Sequence, residues 1–507
     1  MDRASPARYR LCHDYDARHT AAMNRPGLSR LSQLEAEIAR DFQRLNHPPA
    51  DWVPPRMDDA GQRMADVAII GGGMCGLAAA FAMRRLGISH IAHVDQAHPG
   101  QEGPWITYAR MRTLRSPKHL TGPAQGMASL SFRAWWEAQG QDWEALDRIP
   151  RADWMRYLTW YGRLTGAQVQ NEVRLDRIEP SDDGVRLSFS SPTGRRQLTA
   201  RRVVLATGRE GQALPRVPQV LAPYYGAQVQ HSSDPLRGDA VQGRRVAVIG
   251  LGASAFDNAA EALDLGAREV TLIGRAPAIP RLNKMKQTVY PGFSHGFPDL
   301  PDAEKLRWLR YVMEQRIAPP RAAVQRLSQD ARATLILGAA IDAVQEQDGA
   351  LTLRLRVPLP GRTVVADHVI LGTGFAIDLG ALDAVGDFAG SIETWGNRVP
   401  TADGEWGQMP YLGPGFEFLP RQGTEMTDAA GLSRLPCFTH AAQLSLGNLS
   451  NDIPAVSEGA NRLARAIASA LFLEDRETHW TRLQDYAEPE LLGNEWPGVT
   501  AWDPPLG

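Results

Sequence analysis

A glycine-rich loop with the spacing G-x-G-x-x-G follows an apolar run in the segment VAIIGGGMCGLAAAF, residues 67–81. In such a loop the first glycine permits a tight turn, the second lets the backbone approach a pyrophosphate, and the third lets the next helix pack closely on the strand. The N-terminus of that helix faces the phosphates, where free N–H groups and the helix dipole favour negative charge. The next apolar run ends at Asp95, where a carboxylate can accept a hydrogen bond from a ribose hydroxyl. We therefore predict a dinucleotide site formed by Asp95 and the loop residues Gly71, Gly72, Gly73, Met74, Cys75 and Gly76.

A second loop of this kind, VAVIGLGASAFD at residues 246–257, differs from the first in two ways. Its third glycine position holds an alanine, and the strand after it ends in Gly274 and Arg275 where the first unit has an acid. Without the acid a ribose 2′-phosphate is not repelled, and an arginine can hold it. The alternative is that Arg275 is a solvated surface residue. We predict a second nucleotide site formed by Arg275 and the loop residues Gly250, Gly252, Ala253, Ser254 and Ala255.

The opposite ribose chemistry of the two loops predicts two different nucleotides in one chain. The loop followed by an acid suits FAD, and the loop followed by an arginine suits NADPH. Hydride can then pass from the nicotinamide to the flavin across the interface between two domains.

Strands alternate with helices from about residue 65, a pattern typical of a parallel sheet covered on both faces. Two apolar strands stop at the same Thr-Gly turn, VVLATG at 203–208 and VILGTG at 369–374. This repetition predicts an α/β fold of two Rossmann-like domains, similar to glutathione reductase, with the NADPH domain inserted in the FAD domain. We also predict that the turn residues contact the cofactors: Thr207, Gly208, Thr373 and Gly374.

The predicted boundaries follow from these units. Residues 1–60 form a helical extension and a Pro-rich linker, and residues 61–212 form the first part of the FAD domain. Residues 213–370 form the NADPH domain, and residues 371–507 form the rest of the FAD domain with a C-terminal helix.

Composition excludes several other classes of protein. The 507 residues are 43% apolar and 22% charged, the profile of a globular chain. The net charge of −2 gives no reason to expect nucleic acid or an anionic membrane as a partner. Three scattered cysteines do not make a disulfide framework or a metal cluster, so we predict no metal. The N-terminus lacks a secretory signal and the uncharged run at 67–83 is short for a membrane span, which predicts a cytoplasmic protein.

Residues 65–472 resemble the single-component FAD- and NADPH-dependent monooxygenases, which include flavin-containing monooxygenases, N-hydroxylases and Baeyer–Villiger enzymes. The resemblance is most specific at residues 224–260, where an aromatic residue, a glycine and the pair His231-Ser232 precede the second loop. That loop is similar to the family pattern G-x-G-x-S-x-x-D, with Ser254 and Asp257 in register. Two departures, the four residues between Gly226 and His231 and a proline at position 235, make a Baeyer–Villiger enzyme the less favoured member.

Further site residues follow from the resemblance and from local chemistry. The segment GPWITYAR, 103–110, is similar to the family's flavin-side Gly-Gly-x-Trp segment and implies that Trp105 is near the flavin. Arg110 belongs to the basic run YARMRTLRSPKHL. We predict that this run binds the FAD pyrophosphate or a carboxylate of the substrate, and the alternative is that it is a solvated face. In GNLSNDIP, Asn451 and Asp452 either reach the flavin's pyrimidine edge or cap the last long helix. Ser232 is assigned to the NADPH site, and His231 is the first histidine considered for catalysis. The tryptophans between residues 105 and 160 are predicted to be core.

The resemblance implies an NADPH-dependent flavoprotein monooxygenase. In that chemistry NADPH reduces the flavin, the reduced flavin captures O₂ as a C4a-hydroperoxide, and one oxygen atom passes to a nitrogen or sulfur atom of a small substrate. The partners expected are therefore that substrate and O₂, and we leave open whether the chain forms a homo-oligomer. A Baeyer–Villiger enzyme acting on a ketone and a non-oxygenating FAD/NAD(P)H oxidoreductase or redox sensor are alternatives. A disulfide reductase of the same fold is disfavoured, because it needs a closely spaced redox cysteine pair that the chain lacks.

Overall fold

The computed structural model describes residues 29–181, 183–209, 211–356, 362–492, 495, 496 and 498. The strands are β1 Ala65–Ile70, β2 Ile91–Val94, β3 Val169–Gln170, β4 Arg174–Pro180, β5 Val185–Ser191, β6 Gly194–Leu205, β7 Ala213–Pro215, β8 Val229–His231, β9 Arg245–Ile249, β10 Glu269–Ile273, β11 Ala333–Ile336, β12 Ala340–Gln347, β13 Ala350–Arg356, β14 Thr363–Ala366, β15 His368–Leu371 and β16 Phe375–Ile377. The α-helices are α1 Arg30–Arg44, α2 Met74–Arg84, α3 Phe132–Ala138, α4 Arg151–Leu164, α5 Gly238–Val241, α6 Ala253–Asp264, α7 Pro291–Gly296, α8 Asp302–Glu314, α9 Arg321–Ser328, α10 Asp383–Gly386, α11 Trp395–Arg398, α12 Gly404–Gly407, α13 Met426–Leu432, α14 Gln443–Leu446, α15 Val456–Glu474 and α16 Arg476–Gln484.

The first sheet has the strand order β3-β2-β1-β6-β5-β4. Strand β1 pairs in parallel with both β2 and β6, with Ile70 opposite Val94 on one side and Leu205 on the other. The carboxyl ends of these three strands therefore meet at one edge, which is where a doubly wound sheet binds its ligand. Strands β4 and β5 run antiparallel, as a hairpin extension of β6 that the alternating pattern did not predict. Their connections are too short for the crossover that a parallel pair requires.

The second sheet is wholly parallel, with the order β11-β10-β9-β15-β8, and comes from residues 229–371. A separate antiparallel sheet, β12-β13-β14, precedes β15. The chain enters and leaves this unit through β7 and β16, which pair antiparallel with Ile377 opposite Ala213. Beyond β16 the chain returns to the first unit, where α15 packs along α2. The prediction of two Rossmann-like units, one inserted in the other, is confirmed.

The first unit has an aromatic core, as predicted from its tryptophans. Trp135, Trp143, Trp154 and Trp160 are all buried. Helix α1, predicted as an extension, is packed into this same core through Leu34 and Ile38. Within the described residues, no helix combines the length and the hydropathy needed to cross a membrane.

Candidate cofactor and active site

The first glycine loop connects β1 to α2 and needs glycine for two separate reasons. Gly71 has a φ of +114°, in the region that side chains disfavour, and a Cβ there would overlap the carbonyl oxygen of Ala206. A Cβ on Gly76 would overlap the carbonyl oxygen of Gly71, so only glycine lets the helix start this close to the strand. Both positions have the geometry predicted for them.

Helix α2 begins at Met74 with Gly73 as its N-cap, and no side chain caps it. Its first-turn N–H groups therefore point to the loop without a side-chain acceptor, which suits a pyrophosphate. Cys75, in this first turn, is half-buried and its thiol donates to the Ser450 carbonyl oxygen at 3.1 Å. Burial raises the pKa of Cys75 to about 12, so the thiol stays protonated and serves packing.

Asp95 follows β2 and lies beside the loop, where the sequence predicted an acid. Its Oδ2 accepts the Gly72 N–H at 2.6 Å and its Oδ1 accepts the Ala97 N–H at 2.7 Å. Two backbone donors thus fix the carboxylate, while each oxygen keeps a lone pair for a further donor such as a ribose hydroxyl.

The segment at 103–110 lies against the same loop. A Cβ built on Gly73 would be 3.8 Å from the Gly103 Cα. Trp105 is half-buried, with its ring edge-on to Trp154 at a centroid distance of 6.2 Å. The Trp105 carbonyl accepts from the Arg151 Nη1 at 2.5 Å. Trp105 therefore borders the loop from the aromatic core, and its contact with the flavin stays a prediction.

The two Thr-Gly turns have similar backbones, but their hydroxyls differ. Gly208 and Gly374 both have positive φ, +69° and +79°. The Thr373 hydroxyl donates to the Arg216 carbonyl at 2.5 Å, whereas the buried Thr207 hydroxyl has no partner among the described residues. A buried hydroxyl without a partner is costly unless a ligand satisfies it. Together with the uncapped helix and the required glycines, this orphan hydroxyl shows that the residues present fit FAD.

The second loop repeats the first with one substitution. Gly250 has a φ of +133°, and a Cβ there would overlap the Gly372 carbonyl oxygen. Helix α6 also starts without a side-chain cap, at Gly252 and Ala253, and Ser254 in its first turn is exposed. A Cβ on Gly372 would be 2.6 Å from the Ala255 Cβ. Alanine is thus tolerated at the third position because the neighbouring strand end has a glycine.

Arg275 follows β10 and is exposed. Its guanidinium makes no hydrogen bond or ion pair with any residue that the structure describes. Arg281 and Lys286 are exposed nearby in sequence, and Lys284 is 5.9 Å from the ring centroid of Tyr311. A free guanidinium at this strand end fits a ribose 2′-phosphate.

His231 is buried at the end of β8, and both of its ring nitrogens have partners. Its Nε2 is 3.0 Å from the Gly374 carbonyl oxygen, which can only accept, so this nitrogen carries the proton. Its Nδ1 is then the acceptor for the Ser233 hydroxyl at 2.7 Å. Burial lowers the pKa of His231, so the ring is neutral. Because neither ring nitrogen is free for proton transfer, this geometry favours a positioning role in which His231 links β8 to the interdomain connection. Ser232 is also buried, and its N–H donates to the Leu371 carbonyl at 3.0 Å.

The basic run predicted to bind a phosphate or a substrate faces the second domain. Arg110 donates to the Thr107 carbonyl at 2.9 Å and to the Asp234 carbonyl at 3.4 Å, and its buried Nε has no partner among the described residues. Arg112 and Arg115 form ion pairs with the α6 residues Asp264 and Asp257, at 2.9 and 3.4 Å. These ion pairs join the two domains; whether Arg110 also contacts FAD stays a prediction.

The loop before α15 does not cap that helix with a side chain. The N-cap is Ala455 and no side chain bonds to the first turn, so the capping interpretation is wrong. Asn451 and Asp452 are half-buried, and burial raises the pKa of Asp452. Their contact with the flavin remains a prediction.

Sequence reasoning missed a polar cluster formed by two distant turns. The residues that follow β6 include Arg209 and Gln212, and the other turn brings Thr439 and His440 beside them. The Gln212 Nε2 and the His440 Nδ1 are buried without partners among the described residues. The one sequence signal for this cluster is that Arg209 directly follows the first Thr-Gly turn.

Two glycine loops, each between a parallel strand and a helix, and a paired connection between their domains are typical of two-domain flavoproteins that use a pyridine nucleotide. A family model described as pyridine nucleotide-disulphide oxidoreductase matches residues 68–324, which include both loops. The chain is 37% identical over 481 residues to an FAD-dependent urate hydroxylase of Xanthomonas campestris pv. campestris, covering 93% of this chain and 99% of that one. The chain therefore belongs to the FAD-dependent flavoprotein monooxygenases, in the family of that urate hydroxylase. This membership confirms the predicted family and the FAD cofactor, and the NADPH site stays a prediction.

Solved structures are similar in fold. The ornithine hydroxylase of Pseudomonas aeruginosa has a TM-score of 0.62 and 18% identity, covering 80% of this chain and all of that one. The L-lysine 6-monooxygenase of Pseudomonas syringae has a TM-score of 0.60 and 19% identity, covering 80% of this chain and 99% of that one.

The cysteines fit a monooxygenase better than a disulfide reductase. The two described cysteines, Cys75 and Cys437, are free, and burial raises their pKa values to about 12 and about 11. Such thiols are poor nucleophiles near neutral pH, since the thiolate is the reactive form.

Proposed function

We propose that this chain is an NADPH-dependent monooxygenase that hydroxylates urate or a closely related oxo-purine. The observation that carries the proposal is the 37% identity to a urate hydroxylase over almost the full length of both chains. Urate is a small nitrogen-containing molecule, and the sequence prediction that oxygen passes to a nitrogen or sulfur atom of the substrate stays untested.

Bound FAD supplies the redox and oxygen chemistry, and the protein supplies binding and placement. The Gly71 loop and the uncapped start of α2 would hold the FAD pyrophosphate, Asp95 would accept a hydrogen bond from a ribose hydroxyl, and the unpartnered Thr207 hydroxyl would bond to the cofactor. The Gly250 loop would hold the NADPH pyrophosphate, and Arg275 would hold the 2′-phosphate that distinguishes NADPH from NADH.

The interdomain contacts fix the positions of the two glycine loops relative to each other. The β7–β16 pair, the His231 bond to Gly374 and the ion pairs of Arg112 and Arg115 all join the domains. By holding the two loops in place, these contacts would orient the bound nucleotides toward each other, and such orientation contributes to the rate of a reaction between two bound groups.

The test is a turnover assay with the purified holoenzyme, following NADPH, O₂ and urate together. We expect one urate and one O₂ to be consumed per NADPH, and oxidation of NADPH without urate to be much slower. The same assay with NADH in place of NADPH tests the coenzyme, and a ketone in place of urate tests the Baeyer–Villiger alternative. The proposed substrate would be refuted if urate did not accelerate the oxidation of NADPH and was not itself consumed. Failure of O₂ to reoxidise the NADPH-reduced protein would favour the redox sensor.

A further inference from the structure

Two turns that are far apart in the sequence are fixed side by side at the edge of the first sheet. The Phe438 N–H donates to the Leu205 carbonyl at 2.9 Å, which aligns residues 437–440 with the end of β6. The side-chain oxygen of Gln212 accepts the Thr439 hydroxyl and the Cys437 thiol, the latter at 3.1 Å. These contacts hold both turns in register next to Gly208, a position predicted to lie at the flavin.

Three polar groups at this junction have no protein partner among the described residues. The Arg209 guanidinium makes no hydrogen bond or ion pair with any residue that the structure describes. The residue is partly open to solvent, but burial among its neighbours lowers the pKa of Arg209, Tyr108 opposes this and Arg115 adds to it. Gln212 is fully buried, yet its Nε2 donates to nothing described. The His440 Nδ1 is buried and equally unpartnered. Buried polar groups without a partner are rare and costly in proteins, and a ligand that bonds to them removes that cost.

The protonation of His440 follows from its surroundings. Burial, followed by the positive charge of Arg209, lowers the pKa of His440 to about 3, so the ring is neutral. Its hydrogen bond to the Gly208 backbone raises the pKa, which identifies the ring as the donor in that bond. With the proton of the neutral ring placed on Nε2, the Nδ1, which has no partner among the described residues, is a lone-pair acceptor.

The junction thus offers a cation with several N–H donors, an amide N–H donor and a neutral acceptor. A planar heterocyclic anion with an oxygen next to a ring N–H is complementary to this set, because the oxygen takes the guanidinium and the N–H meets the imidazole. A cofactor phosphate would use the guanidinium but has no N–H for the acceptor.

We propose that Arg209, Gln212 and His440 form the recognition site for the substrate, and that the substrate is an anionic oxo-purine or a similar lactam anion. The proposal rests on the proposed function, which requires such an anion beside the flavin. On this proposal the turn after β6 selects the substrate, and Arg209 is the residue that requires the substrate to carry a negative charge.

The test compares Arg209→Gln and Arg209→Lys with the wild-type holoenzyme. Arg268→Gln is the matched control, since Arg268 is exposed and makes no side-chain bond to a described residue. The measurements are the FAD content, the anaerobic rate of flavin reduction by NADPH without substrate, and the Kd values of urate and of neutral hypoxanthine from the flavin difference spectrum. We expect Arg209→Gln to raise the Kd of urate about 10- to 100-fold, the loss of a charge-assisted hydrogen bond, and to change hypoxanthine much less. Arg209→Lys should be intermediate, because it keeps the charge and loses the fork.

Two results would overturn the proposal. One is an unchanged Kd of urate in Arg209→Gln; the other is loss of FAD or slower reduction by NADPH without a change in that Kd, which would assign Arg209 to a cofactor phosphate. Two further anionic probes, orotate and benzoate, distinguish failure of the proposed function from failure of the proposed anion site. If wild type does not oxygenate urate but binds these anions through Arg209, the anion site stands and the proposed substrate falls. If wild type binds no anion, the site falls as well.

Discussion

The second residue of β1, Asp66, should make the stability of this protein fall as the pH rises. Its side chain is fully buried, and neither carboxylate oxygen has a hydrogen-bond partner among the described residues. The Arg201 Nη1 is 3.9 Å away, but Arg201 is paired more closely with Glu474 and Asp475, at 2.8 and 2.7 Å. Burial raises the pKa of Asp66 from 3.8 to about 7, and Arg201 opposes this only in part.

The sign and size follow from the two pKa values. In the unfolded chain Asp66 ionises above about pH 4, whereas in the native protein it keeps its proton up to about pH 7. The native state binds more protons in this window, so its stability falls as pH rises through the window and is level above it. A shift of roughly three units corresponds to about 4 kcal/mol at most, since each unit is about 1.36 kcal/mol. About half of this, roughly 2 kcal/mol, develops between about pH 5.5 and pH 7.

The perturbation is Asp66→Asn, which keeps the shape and removes the ionisable group. The assay is thermal unfolding of the holoenzyme, followed by flavin fluorescence at about pH 5.5 and about pH 8, with Asp147→Asn as the control at an exposed aspartate. We expect the variant to be more stable than wild type, and its advantage to grow by about 2 kcal/mol, or a few degrees in Tm, from the lower to the higher pH. An advantage that is equal at both pH values would mean that Asp66 does not titrate between them, and a variant less stable than wild type at the higher pH would mean that the carboxylate is ionised and paired with Arg201. Either result would refute the reasoning.

Three further predictions concern the cofactor sites. Arg275→Ala should lower kcat/KM for NADPH about 10- to 100-fold, through loss of a charge-assisted phosphate contact, and leave NADH almost unchanged; equal losses with both coenzymes would contradict the role of Arg275. Gly372→Ala should abolish flavin reduction by NADPH while FAD is retained, because the new Cβ would be 2.6 Å from the Ala255 Cβ. Adding Ala255→Gly should restore the reduction, and normal rates in the single variant would show that the loop can shift. Thr207→Val should raise the Kd of FAD about 5- to 10-fold, measured by titrating apoprotein, since it deletes the unpartnered hydroxyl; unchanged affinity would place that hydroxyl away from the cofactor.

For two groups of residues, His231 and the basic run, the sequence motif was not enough to determine the role. The motif before the second loop singles out His231, but a motif cannot show that a carbonyl 143 positions later and a neighbouring hydroxyl occupy both ring nitrogens. The charge of the basic run is compatible with three roles. The structure pairs Arg112 and Arg115 with acids of α6, an arrangement that needs the docking of two domains.

Residue type and spacing were enough to predict the two glycine loops, the position of Asp95, the insertion of one unit in the other and the aromatic core. These features are local: a strand, a glycine turn and a helix follow one another within a few residues, and their steric requirements are met by residue type at fixed spacing. The folded chain was needed to show that the turns around Gln212 and Thr439 lie side by side, that β4 and β5 run antiparallel, and that Asp66 is buried without a hydrogen-bond partner among the described residues. Each of these depends on which distant segments pack together, because burial and hydrogen bonding are properties of the folded neighbourhood and leave no periodic trace in the chain.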